Sequence, residues 1–280
     1  MKPAITLWVI MFGVWAVLAA ILIAAAGRVE MPTGLRRLGR RLGAAGDGAI
    51  EQLGRPAVVL IAVLAWEALM VIVFFGLGKF AKALEPHVDE PVFAWFQARQ
   101  IPWWSDIWWK ITNIGSPTVT QTIVVIGSVV LAVVWRRQCW WLPAATLVIG
   151  YLMEKYGQMC IQTIVHRGHP PTTHGTWPSG GMARIWVVYG LVVFLTLIGF
   201  QVRNRRIWAA GLSLVLLFET IQAYSRNYNL EHWVTDVIGG FLFGIFLVTG
   251  GLGVQWLLRR GGTAPVVPSS IERETSRSAV

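Results

Sequence analysis

The chain has 280 residues, 55% of them hydrophobic and only 14% charged, with a formal net charge of +10. That composition and a mean hydropathy of +0.57 exclude an ordinary soluble domain and point to a helical protein crossing a bilayer several times. The charge does not mark a nucleic-acid binder, because the arginines cluster between apolar runs, where they act as topology signals.

The first apolar run, 5–26, is long enough to span a bilayer. Lys2 and the Ala24–Ala26 tail also fit a cleaved signal peptide, but the next segment carries Arg28, Arg36, Arg37, Arg40, Arg41 and Arg55. Such a cluster stays in the cytoplasm and makes residues 1–27 an N-out anchor. Leu35, Leu38 and Leu42 recur at helical spacing opposite the arginines, so 28–55 is expected to be a basic amphipathic helix on the inner leaflet. A second span follows at 56–77, with Glu67 facing other helices or water. Residues 78–118, with Trp103, Trp104, Trp108 and Trp109, are expected to be interfacial helices on the outer side. Further spans are expected at 119–135, 140–163, 182–200, 207–224 and 234–258. The result is an all-α bundle of about seven membrane helices, six of them in a domain over 56–258, with a disordered cytoplasmic tail at 259–280. Arg136 and Arg137, Arg203, Arg205 and Arg206, and Arg259 and Arg260 fall on the side of 28–55. Loops 164–181 and 225–233 then meet on the outer face. Cys139 and Cys160 lie at opposite ends of one span, too far apart for a disulfide.

The outer loop Ser225-Arg226-Asn227-Tyr228-Asn229-Leu230-Glu231-His232 leads into a helix carrying Asp236, Gly240 and Gly244. His232 and Asp236, four residues apart, share one helical face. A carboxylate there can hold the imidazole Nδ1–H and leave Nε2 free as a nucleophile, while Arg226 offers a fork for phosphate oxygens. The plainer alternative is a solvated loop whose His and Asp only cap a helix.

The pattern Ser-Arg-x5-His-x3-Asp resembles the third motif of the type 2 phosphatidic acid phosphatase superfamily, which includes bacterial lipid phosphatases and vanadium haloperoxidases. The resemblance covers about residues 85–258. It implies a six-helix core with its site at the outer mouth and a phosphohistidine formed at His232, which Asp236 orients. It also implies phosphate binding by Arg226, Arg167, Ser179 and Gly180, no metal and no organic cofactor. The family's first motif, Lys-x6-Arg-Pro, falls on Gln162, His169 and Pro170, so two cations are replaced and His169 takes the arginine's place at the phosphate. Lys155 lies seven residues earlier, about 10 Å down the helix, and is expected to pair with Glu154. The second motif survives as Pro178-Ser179-Gly180, with Gly181 where the family has its proton-donating histidine. Ser179 is expected to cap the helix that follows.

General acid help is worth roughly 10²–10⁴-fold in rate. Its loss at Gly181 shifts the expected substrate towards a lipid diphosphate such as a polyprenyl diphosphate, whose leaving group needs no proton. His169 and His174 are candidate substitute acids, and Arg184 is either an added cation or an interfacial anchor. Two functions stay open. One is a membrane phosphatase acting on a phosphorylated lipid. The other is a non-catalytic lipid-phosphate binder or carrier of the same fold in cell-envelope metabolism.

Overall fold

The computed structural model describes residues 2–28, 33–137, 139–172 and 175–259. His174, residues 260–280 and the side chains of Leu35 and Arg36, all invoked above, lie outside the described residues. The chain runs α1 (Pro3–Ala26), α2 (Thr33–Leu53), α3 (Arg55–Leu84), α4 (Glu90–Gln97), α5 (Pro102–Ile111) and α6 (Pro117–Val134). It continues as α7 (Trp141–Val165), α8 (Gly180–Arg184), α9 (Leu191–Gly199), α10 (Arg205–Tyr228) and α11 (Val234–Arg259). No strand occurs among the described residues. Proline opens α1, α3, α4, α5 and α6, where its missing N–H is not needed.

Six helical stretches among the described residues are long and apolar enough to cross a membrane. Of the long helices outside these six, α2 is amphipathic, and α7, with 25 residues, carries Glu154, Lys155, Gln158 and Gln162. Gln158 and Gln162 also line the site described below. Large side chains such as Ile72, Val125 and Val129 stand exposed around the bundle, as a lipid-facing surface requires.

Residues 78–118 differ from the expectation in part. No proline follows Pro56 until Pro86, so α3 runs through Gly76 and Gly78 to Leu84 and turns through a π-helical segment, Glu85–Asp89, into α4. The Lys79 ammonium lies 5.2 Å from the Phe75 ring. The amphipathic α2 forms as expected, with Leu38 and Leu42 exposed and Gly46 beside Leu257 of α11.

Two apolar clusters hold the bundle. Phe74, Leu147, Tyr151, Trp186, Phe243 and Leu247 join α3, α7, the α8–α9 stretch and α11. Phe96, Trp108, Tyr224 and Tyr228, with Trp8 against them, dock α1 onto α10. Tyr224 Oη donates to the Ala4 carbonyl at 2.7 Å and Trp15 Nε1 to the Ser213 carbonyl at 3.0 Å. The first helix is therefore packed along the core, not merely tethered to it. At the far end of α11, Arg55 reaches the Leu258 carbonyl and Arg259 lies 4.9 Å from the Trp135 ring.

The start of α11 crosses α8 without room for a side chain. A Cβ on Gly244 would lie 2.5 Å from Trp186 Cβ and 3.0 Å from the Ala183 carbonyl oxygen. Both obstacles are backbone or fixed to it, so they cannot swing away. Gly244→Val is expected to destabilise the protein by about 1–3 kcal/mol, read as a lowered thermal unfolding midpoint in detergent. An unchanged midpoint would contradict this packing.

Candidate active site

The site begins where α10 ends. Leu230 takes φ +57°, the left-handed conformation that usually goes to glycine. The Glu231 N–H then donates to the Arg226 carbonyl at 3.0 Å, and the Leu230 N–H to the Asn227 carbonyl at 3.1 Å. These paired bonds are the Schellman ending, and they satisfy the last carbonyls of the helix. They also fold the chain back so that Glu231 and His232 face Arg226. The guanidinium Nη1 of Arg226 pairs with Glu231 Oε2. With its carboxamide turned oxygen-first, Gln222 accepts from Arg226 Nε at 2.7 Å and Nη2 at 3.0 Å.

Asp236 lies in the first turn of α11 and is fully buried. Its Oδ2 accepts from the Trp233 N–H at 3.3 Å, closing the helix start as a capping carboxylate does. The same oxygen stands 3.7 Å from His232 Nδ1, facing the ring but beyond hydrogen-bond length. The Nδ1 atom has no other partner. The capping and orienting alternatives thus coincide on one carboxylate. Burial, the first cause, pulls the His232 imidazole below its ordinary value of 6.5. The nearby Asp236 opposes that shift and the Arg226 charge adds to it. The ring is therefore neutral at neutral pH, the form a nucleophile needs.

Arg167 departs from its expected role. The left-handed His166 (φ +48°) ends α7 and turns Arg167 inward, where its side chain is wholly buried. Nη1 donates to Asp236 Oδ1 at 2.7 Å and Thr235 Oγ1 at 2.6 Å, Nη2 pairs with Asp89, and Nε faces Glu85 at 3.4 Å. A cation surrounded by carboxylates is not offered to phosphate. It binds the end of α7 to the turn after α3 and to the start of α11.

A cavity of about 500 Å³ is lined by Trp109, Gln158, Gln162, Gly175, Thr176, Gly180, Gly181, Arg184, Arg226, Glu231 and His232. The imidazole, the guanidinium and the glycine pair thus share one chamber. Ser179 does not line it: the residue is fully buried, its hydroxyl has no partner, and it makes no side-chain cap to α8. Its N–H instead donates to the Asp236 carbonyl at 3.0 Å. His169 does not line it either, being exposed with Nδ1 2.7 Å from the Pro170 carbonyl oxygen. Glu154 pairs not with Lys155 but with Arg184, Oε1 to Nη1 at 3.2 Å, while Lys155 lies over the Tyr156 ring. Adjacent residues on a helix point about 100° apart, which prevents the expected pair.

Sequence reasoning left Arg184 open between an added cation and an interfacial anchor, and it missed Glu231. Arg184 is a second cation, held by Glu154 and by the Gly115 carbonyl at 2.9 Å. Its signal was its place on the helix opened by Gly180. Glu231, hidden among the five unspecified motif positions, puts a carboxylate beside Arg226. Gln158 and Gln162 stand on the α7 wall, donating to the Pro178 carbonyl at 2.8 Å and to Thr176. The amide at 162, where a lysine was expected, ties down the opposite loop.

Residues 153–260 match the sequence profile of the family described as PAP2 superfamily. The matched segment carries His232, Asp236 and Arg226. Comparison with curated proteins gave no match. A solved PAP2 structure with a similar fold is the first transmembrane PAP2 type phosphatidylglycerolphosphate phosphatase from Bacillus subtilis. It is 18% identical with a TM-score of 0.59, over 70% of this chain and 99% of that one. The likeness establishes a polytopic PAP2 fold, and with the long apolar helices it makes this an integral membrane protein.

Two outcomes follow for this PAP2 site. Arg167→Met strands Asp89 and Asp236 as buried carboxylates and is expected to cost about 3–5 kcal/mol of stability. A phosphate contact would instead lose affinity with the unfolding midpoint unchanged. Because the neutral imidazole persists below pH 6.5, acylation of His232 by diethyl pyrocarbonate, followed as loss of function, should have its midpoint below that value. A midpoint above 6.5 would contradict the burial argument.

Proposed function

We propose that the protein is a lipid phosphatase in which His232 Nε2 attacks the phosphorus of a phosphorylated lipid and becomes transiently phosphorylated. The observation that carries this reading is that His232, Arg226, Gly180 and Gly181 line one cavity. Asp236 keeps the ring oriented with Nδ1 towards the carboxylate, which directs Nε2 to the chamber. Arg226 and Arg184 supply charge-assisted hydrogen bonds to phosphate oxygens. The N–H groups of Gly180 and Gly181, at the start of α8, add donors that have no helical acceptor. Arg167 is a positioning residue, acting on phosphate only through Asp236.

The site is proposed to face away from the cytoplasm. Arg28, Arg55, Arg206 and Arg259 gather at the end of the bundle far from His232: Gly27 lies beside Arg206 and Arg55 meets Leu258. The positive-inside rule places that end in the cytoplasm, giving N-out and C-in.

Two observations favour a second reading, a binder without turnover. Gln162 replaces a lysine on the cavity wall, and each cavity arginine already has a carboxylate partner. Phosphate release from a panel of lipid phosphates separates the two. The phosphatase reading predicts turnover that falls to background in His232→Ala. Arg226→Ala should weaken substrate binding by about 1.5–3 kcal/mol, roughly ten- to a hundredfold. Lipid-phosphate binding without release, unaffected by His232→Ala, would establish the binder.

A further inference from the structure

Resting on the phosphatase reading, we propose that Glu231 is the proton donor to the departing lipid oxygen, filling the role left by Gly181. Among the described residues of the cavity, Glu231 is the carboxylic acid, and besides His232 it is the group that can take up and give a proton, since arginine stays charged. Its place is fixed twice over: the Schellman bond ties its backbone to the Arg226 carbonyl, and its side chain pairs with the Arg226 guanidinium.

The position of the missing histidine is physically occupied. A Cβ on Gly181 would lie 2.6 Å from Arg226 Nη2, 2.8 Å from its Nε and 2.7 Å from the Gln222 carboxamide oxygen in its turned orientation. Arg226 reaches across the space a side chain at 181 would need, and Gly181 itself offers no acid, so the donor is sought on another wall. Glu231 stands on that other wall, next to the nucleophile.

At rest the carboxylate pairs with Arg226, and substrate changes this. Phosphate on the Arg226 fork takes over the counterion and sets a second anion beside Glu231; both effects raise the carboxyl's affinity for a proton. A phosphate monoester monoanion brings one proton, which passes to Glu231. His232 Nε2 then forms the N–P bond as the P–O bond to the lipid breaks. The electron pair stays on the leaving oxygen, which takes the proton from Glu231. Water next attacks phosphorus, giving its proton to the Glu231 carboxylate, while the N–P electron pair returns to Nε2. Inorganic phosphate leaves and the carboxyl releases its proton to solvent. With an acid in place, simple lipid monophosphates become substrates, and the preference for diphosphates argued from Gly181 falls away.

Leaving-group dependence tests this in the detergent-solubilised full chain. kcat/KM reports only steps up to departure of the leaving group, so it is compared for a long-chain alkyl phosphate and for 4-nitrophenyl phosphate. Glu231→Gln should lower the alkyl value roughly 10²–10⁴-fold and the nitrophenyl value less than about tenfold, because nitrophenolate departs without a proton. Glu231→Asp should recover part of the alkyl activity. Equal losses on both substrates would mean a structural role and overturn the proposal, and gains on both would mean that Glu231 only obstructs Arg226. A leaving-group-selective loss in His174→Ala but not in Glu231→Gln would move the acid to His174. Failure of the wild-type chain to turn over either substrate would sink the phosphatase reading itself, and the acid with it.

Discussion

The buried guanidinium of Arg167 is the constraint on which the site depends. It is shared by Asp236 at the start of α11 and by Asp89 and Glu85 in the turn after α3, and it arrives at the end of α7. Burying one such charge alone would cost several kcal/mol, so none of these groups can sit where it does without the others. The cluster thereby sets the register between α11 and its neighbours. Asp236 extends it in both directions: its carbonyl accepts from Ser179 at the mouth of α8, and its Oδ2 faces His232. One ion cluster thus fixes the carboxylate that faces the His232 ring and, through Ser179, the start of the glycine pair that lines the chamber.

The chamber itself is balanced in charge rather than strongly basic. Arg226 answers Glu231, and Arg184 answers Glu154. A phosphate entering this space takes over existing ion pairs instead of meeting bare cations. Gln162, Gly181 and Glu231 go with one arrangement, in which Arg226 occupies the volume that a side chain at 181 would fill.

The membrane helices were legible because apolar length is a local property, and so were His232, Asp236 and Arg226, which lie within eleven consecutive residues. The structure brings all three to one cavity or its edge. What sequence could not give was long-range. The partners of Arg167 are 69 and 78 residues away, and nothing near it in the chain distinguishes a phosphate ligand from the hub of an ion cluster. The role of Glu231 turned on a left-handed leucine at 230, where no glycine announced the turn. His169 was misplaced for a related reason: alignment on Pro170 fixes its number, but the loop leaves its ring outside the chamber. The span expected to end at 77 runs on to Leu84 because no proline interrupts it before Pro86.

The central claim is covalent chemistry at one imidazole. Rapid acid-free quenching of the protein during turnover of a lipid phosphate labelled on phosphorus, followed by peptide mass spectrometry, tests it most directly. The account predicts an acid-labile, base-stable phosphoryl group on His232, formed as fast as the lipid is released. Release of phosphate at full rate with His232 unlabelled at every time point would contradict it.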